Sequence, residues 1–210
     1  MSRSSSFAGV ILAAGDSSRM GTDKALLPWP PQAAGQPPSK DTFLSAAIRS
    51  FASADFVVVV AGRNEASIAP VVYANGASIV TNSDSDRGQF SSLQLGLHEV
   101  LNRGRDAAMI TLVDRPPVAP ATIQFLRAAF ESAPQNVWAV VPEFSGQHGH
   151  PFLAGRELIE AFLRAPDTDT ARDVEHRCRE HIQYEGIDDP AVASNINTPA
   201  EYAALLAKSS

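Results

Sequence analysis

The stretch DFVVVVA, from Asp55 to Ala61, carries four valines in a row. A strand with one wet face would alternate apolar and polar residues; this one offers no polar face, so it belongs in a sheet covered on both sides. Phe7 to Ala14 and Ala107 to Val113 (AAMITLV) have the same character, and Ala77–Thr81 and Val137–Val141 read as shorter strands. Helical patterns lie between them. Asp41 or Thr42 caps a helix running to about Phe51, Glu65–Ala74 stops at Asn75-Gly76, Ser91–Arg103 stops at Gly104, and Pro120–Ser132 has proline in its first turn. Strands alternating with helices predict an α/β fold: a single-domain, Rossmann-like three-layer α/β/α arrangement with a mostly parallel sheet. Beyond Val141 the alternation weakens, and helices are expected near Arg156–Arg164, Thr170–Glu180 and Pro199–Lys208.

A chain of 210 residues suits one sizeable core, expected over residues 7–206 with a flexible N-terminus at 1–6. The net charge of −6 argues against a general nucleic-acid surface, although a local cationic site for a small anion is compatible with it. Cys178 is the only cysteine, so no internal disulfide can form, which fits a reducing compartment. Val10–Ala14 is too short for a signal-peptide core or a membrane span. A cytoplasmic protein without membrane partners is therefore expected. Pro28 to Asp41, rich in proline and small residues, reads as a mobile surface loop. Sequence pattern does not decide whether residues 30–41 close over a site.

The run GVILAAGDSSRMGTDKALLP, from Gly9 to Pro28, joins a strand to a loop of small residues. Open parallel sheets bind ligands beyond the carboxyl ends of their strands, and Gly15 stands at such an end. Such a loop can turn several backbone N–H groups toward one anion, Arg19 offers a planar fork, and Lys24 a point charge. Two cations beside a backbone nest suit a polyphosphate; a surface loop with scattered charges is the competing reading. The spacing is not that of a P-loop, because five residues separate Gly15 from Gly21 and the lysine follows three later. Nor is there a G-x-G-x-x-G fingerprint, which excludes a dinucleotide-dependent oxidoreductase.

LAAGDSSRMGTDKALL resembles the N-terminal signature L-A-[AG]-G-x-S-x-R-M-G-x-x-K-x-L-L of the nucleotidyltransferases. The likeness is closest to the MobA-like group, which attaches a nucleotide to molybdopterin, and within it to the cytidylyltransferases. It extends from Gly9 to about Tyr202. It implies a fold of the nucleotide-diphospho-sugar transferase type. It also implies a Mg2+-dependent enzyme that joins the nucleoside monophosphate part of a triphosphate, CTP before GTP, to a phosphate-bearing acceptor, releasing pyrophosphate. By match, Leu12, Ala13, Ala14 and Gly15 lie near base and phosphates, while Arg19 and Lys24 hold the triphosphate. Molybdopterin is the implied acceptor, and a molybdoenzyme or its chaperone an implied partner. Sugar-phosphate or methylerythritol-phosphate transfer, and non-catalytic nucleotide binding, remain as alternatives.

Further segments fit this resemblance. In TLVDRPPV, Asp114 follows a buried strand; its carboxylate could cap the turn before Pro116-Pro117 or hold Mg2+. The family motif L-x-D-x-P implies the metal. Val113 stands where glycine is frequent, and Arg115 where small or amide residues are common; the role of Arg115 is left open. In GQFSSLQLGL, Ser91 or Ser92 could cap a helix, and the resemblance implies that Ser92 contacts the nucleotide, with Gly88 and Gly96 allowing close approach. SNINTPAEY allows a capping turn with Thr198 as N-cap and Glu201 at the third helical position. The resemblance adds Asn197 as a metal ligand and Asn195 as an acceptor contact. The asparagine form is usual in guanylyltransferases, whereas LAAG is usual in cytidylyltransferases. GQHGHPFL places His148 two residues before His150; no third ligand is near, so zinc is not expected. The resemblance assigns Gly149 and His150 to the acceptor pocket and leaves His148 unexplained. In DTDTARDV, Thr170 replaces a glycine of the family pattern. NSDSDRGQ lacks the glycine and distal glutamate of a calcium loop and reads as solvated loop.

Overall fold

A computed structural model describes residues 6–15, 21–32, 37 and 39–208. The expected flexible N-terminus lies, but for Ser6, outside the described residues, as do Arg19 and the middle of the proline-rich loop. Among the described residues eight strands form one sheet: β1 (Ala8–Leu12), β2 (Phe56–Ala61), β3 (Ser78–Thr81), β4 (Ala107–Leu112), β5 (Ala139–Phe144), β6 (Gln147–His148), β7 (Phe152–Gly155) and β8 (Ile182–Gly186). Their order is β3-β2-β1-β4-β7-β5-β6, with β8 also pairing β5. The first four strands run parallel, Val10 lying opposite both Val58 and Ile110. β7 is antiparallel to both its neighbours, β4 and β5, and β6 is antiparallel to β5. The α/β sheet is mostly parallel, as expected.

Helices cover both faces: α1 (Phe43–Ser50), α2 (Glu65–Ala74), α3 (Gln89–Asn102), α4 (Pro120–Ser132), α5 (Arg156–Arg164), α6 (Ala171–Arg177) and α7 (Pro199–Lys208). Side chains alternate across a strand, so β1 sends Ile11 to one core and Val10 and Leu12 to the other. Leu44, Ile68 and Leu126, from α1, α2 and α4, fill the first core; Leu97 and Phe162, from α3 and α5, fill the second. The valine run is buried because both layers need it. At Gly96 an added Cβ would come within 2.8 Å of Val10 Cγ1 and 2.9 Å of Val60 Cγ2. This glycine lets α3 lie directly on β1 and β2, the close approach expected of it.

Several boundaries differ from expectation. The strand expected at Val137–Val141 lies at Ala139–Phe144. Neither β7 nor β8 was foreseen. β7 is too short to show a period of its own and is a strand because β4 and β5 both bond to it. β8, half exposed, is held by β5 alone. The strand expected over Phe7–Ala14 is shorter at both ends. α3 starts before the serines expected to cap it: Gly88, at φ +91°, breaks the chain there, and Ser91 Oγ donates back to Gly88 O at 2.8 Å. Ser91 and Ser92 therefore lie in the first turn. The helix expected over Thr170–Glu180 is α6 followed by a 3-10 turn at Arg179–His181. Thr42, not Asp41, caps α1, exchanging hydrogen bonds with Ser45.

The stem of the proline-rich loop is tied down. Trp29 N donates to Asp41 O at 2.8 Å, and Tyr202 OH donates to Pro28 O at 2.6 Å. No helix among the described residues is long and apolar enough to cross a membrane.

Candidate active site

From β1 the sheet extends to β2 and β3 on one side and to β4 on the other, so the carboxyl ends of β1 and β4 flank a crevice where open sheets bind ligands. A cleft of about 280 Å³ opens there. Leu12 and Leu112 line it, together with Ala14, Gly15, Lys24, Asp114 and Asn197. Lys24 begins a 3-10 turn, Lys24–Leu26, whose first amides are capped by Asp23: Ala25 N donates to Asp23 Oδ1 at 3.0 Å. The Lys24 side chain is only 13% exposed, and its ammonium donates to Asn197 Oδ1 at 2.8 Å and lies 3.3 Å from Asp114 Oδ2. Three positions far apart in sequence meet at one charged group.

The supports are local. Asp114 follows β4, and its carbonyl accepts from Ile196 N at 2.8 Å, which fastens the segment carrying Asn197 beside it. Asn197 N and Thr198 N donate to Glu201 Oε2 at 2.7 and 2.9 Å, while Glu201 N donates to Thr198 Oγ1 at 3.2 Å. This is the expected capping turn, and those amides, that of Asn197 foremost, hold the Glu201 carboxyl below its ordinary range. Asp114 does not cap the proline turn; its carboxylate meets Lys24. Its other oxygen, Oδ1, is buried without a partner among the described residues. Asp114 and Asn197 thus present two hard oxygen ligands that one ammonium now bridges. That donor set fits a hard divalent cation completed by phosphate oxygens and water. Among the described residues no group of three or more His, Cys, Asp or Glu side chains gathers as a metal cage.

Asn64, between β2 and α2, was not anticipated. Its Nδ2 donates to Ala13 O at 3.0 Å and to Asp23 Oδ2 at 2.7 Å, and its Oδ1 accepts from Gly62 N at 3.1 Å. It ties together the two ends of the glycine-containing loop and so places Lys24. Ala13, just past the end of β1, donates its N to Val60 O at 2.8 Å and does not line the cleft as Leu12, Ala14 and Gly15 do. Ser92 lines the cleft, and its Oγ accepts from Asn82 Nδ2 at 3.0 Å. Ser85, Asp86 and Gln89, in or beside the segment read as solvated loop, also wall the cleft. Their position after β3 was the available signal.

A second cleft of about 630 Å³ shares Leu12, Gly88, Gln89 and Leu112 with the first. His150 and Arg115 line it, with Thr170, Arg172 and Glu175 on the α6 side. Burial, and then the charge of Arg115, pushes the His150 imidazole down to about 4, against the opposing contact with Ile110 O at 3.4 Å. His150 is therefore neutral at pH 7. Burial raises the Glu175 carboxyl. Thr170 needs no glycine-like conformation: it caps α6 in a box with Asp173. Gly149 is not in either cleft. Its N donates to Pro142 O at 2.8 Å, and a Cβ there would sit 2.3 Å from Val192 O, so it serves packing. Asn195 is exposed and lines neither cleft. His148, unexplained by sequence, stacks on Tyr184 with ring centres 4.0 Å apart and lies 3.5 Å from Glu143.

The profile of the MobA-like NTP transferase domain matches residues 9–182. No curated protein sequence matches significantly. Solved structures show the same fold. Rv0371c of Mycobacterium tuberculosis, in complex with manganese, superposes with a TM-score of 0.74 at 23% identity over 96% of this chain and 98% of that one. A nucleotidyl transferase from Methanothermobacter gives 0.76 at 21% identity, over 97% and 99%. Molybdopterin-guanine dinucleotide biosynthesis protein A from Archaeoglobus fulgidus gives 0.67 at 15% identity, over 97% and 100%.

Proposed function

The chain belongs to the MobA-like NTP transferase domain family, and on that premise we propose that it transfers the nucleoside monophosphate part of a triphosphate, CTP in the first instance, to a phosphate monoester, with molybdopterin as the acceptor. One observation carries the reading: Lys24, Asp114 and Asn197 converge at the mouth of the crevice between β1 and β4. The triphosphate takes the smaller cleft, its phosphates against Lys24 and the Gly15 backbone. Arg19, within the same loop, is the second cation proposed for them. The acceptor takes the larger, adjoining cleft.

In the reaction, an oxygen of the acceptor phosphate forms a bond to the α-phosphorus, and the bond from that phosphorus to the bridging oxygen of the β-phosphate breaks. Pyrophosphate leaves with the electron pair. The nucleophile is already ionised near neutral pH, so no general base is required. His150, neutral and facing the larger cleft, can orient the acceptor by hydrogen bonding without adding charge. Lys24 opposes the charge that grows on the leaving pyrophosphate. Asp114 and Asn197 would hold Mg2+, which when bound neutralises phosphate charge. A structure of a relative with manganese accords with a divalent ion in this fold.

Thermal unfolding with CTP, GTP, UTP and ATP, each with and without Mg2+, tests the nucleotide. A magnesium-dependent rise with CTP alone is expected. A rise with GTP alone would favour the guanylyl reading that the SNINTP segment supports, and no rise with any would sink the triphosphate site. Pyrophosphate release on adding molybdopterin then tests the acceptor.

A further inference from the structure

We propose that Arg115 holds the anionic group of the acceptor, and that the turn Asp114-Arg115 divides the two substrates, the carboxylate facing the nucleotide cleft and the guanidinium the acceptor cleft. The inference rests on the transferase reading and names the residue of the acceptor site that reads charge. Asp114 lines the smaller cleft and not the larger; Arg115 lines the larger and not the smaller. The two clefts share Leu12 and Leu112 at the ends of β1 and β4, so ligands filling them meet beside this turn.

The guanidinium is anchored but underused. Its Nη1 donates to Ser194 O at 3.1 Å, whereas its Nε is buried and has no partner among the described residues. Among the described residues no carboxylate forms an ion pair with it, whereas the other charged groups of the cleft have counterparts. Arg87 is engaged by Asp84 and Asp167, Asp169 pairs with Arg177 at 2.6 Å, and Arg172 faces Glu175. A guanidinium keeps its charge in proteins; burial here disfavours it, and the charge of the adjacent Asp114 carboxylate opposes that effect without a direct ion pair. The cleft therefore carries the Arg115 charge and, within reach of it, a neutral imidazole, His150. A planar fork beside a neutral donor is suited to a tetrahedral oxyanion. A phosphate monoester held there would have an oxygen next to the reacting phosphorus.

Inorganic phosphate is the probe, titrated into protein saturated with Mg2+ and the α,β-methylene analogue of whichever triphosphate stabilises it. Binding is read from the ring resonances of His150. The wild type is expected to bind phosphate with the analogue in place, and bound phosphate raises the His150 pKa from about 4. R115Q should weaken phosphate binding at least tenfold with analogue affinity unchanged, and R115K should fall between. Phosphate that only competes with the analogue, or that binds R115Q as well as wild type, overturns the proposal. So does loss of analogue binding in a folded R115K, because Arg115 would then serve to hold Asp114. If the analogue fails to bind the wild type, the transferase reading fails, and the same phosphate titration without it still decides Arg115.

Discussion

Lys24 stands where a divalent cation and a triphosphate are both expected. Its ammonium satisfies Asn197 Oδ1 and approaches Asp114 Oδ2, so a metal arriving without nucleotide must displace it. Lys24→Met is expected to bind Mn2+ alone more tightly than the wild type and triphosphate at least tenfold more weakly, both readable by calorimetry. Asp114→Ala should abolish pyrophosphate release with an unchanged circular dichroism spectrum; turnover at the wild-type rate would remove Asp114 from the metal site. His150 supplies a pH effect with a definite sign. Its pKa is lowered from 6.5 to about 4 in the folded protein, so the unfolded chain binds the proton more readily. The neutral ring's contribution is complete above pH 6.5 and is lost as pH falls toward 4, amounting to about 3 kcal/mol. In urea unfolding, His150→Gln should lose less stability than the wild type between pH 7 and pH 4.5.

At the scale of elements, the site is placed by ties between segments. Asn64 joins the end of β1 to the turn that carries Lys24. Asn64→Ala leaves Ala13 O and Asp23 with fewer partners and should destabilise by about 1–3 kcal/mol. It should also lower turnover while the affinity of acceptor phosphate is kept, a split that steady-state kinetics can read. Gly96 sets the distance of α3 from the sheet. Gly96→Ala drives a methyl into Val10 and Val60 and should cost about 1–3 kcal/mol by denaturant unfolding. α5 and the capping turn before α7 were legible because amphipathic spacing and a Thr-Pro-x-Glu pattern are local. β7 was not, since four residues show no period and pair only because two distant strands lie beside them. The same holds for Ser92: adjacent serines look like a cap until Gly88, with its positive φ, starts the helix earlier.

Across the whole molecule the net charge is −6, and Lys24 shares its cleft with Asp86 and Asp114, so anion binding there depends on local geometry and should weaken with added salt. A triphosphate at a hundred times its dissociation constant adds about 2.7 kcal/mol. For a chain of this size that corresponds to a rise of roughly 5–10 °C in Tm, measurable by calorimetry.

The sequence by itself determined the central parallel strands, the two-faced core and the strand-to-loop signature, because these rest on hydrophobic runs and on spacings read within a few residues. It also supplied Lys24, Asp114 and Asn197 one by one. Only the tertiary structure decided that the three meet on a single ammonium, that Asn64 closes the loop, that Gly149 and Ala13 serve packing, and that Asp114 and Arg115 face different clefts. Those facts depend on which distant segments touch. The order in which the sheet brings strands together settles such contacts, and no local pattern encodes it.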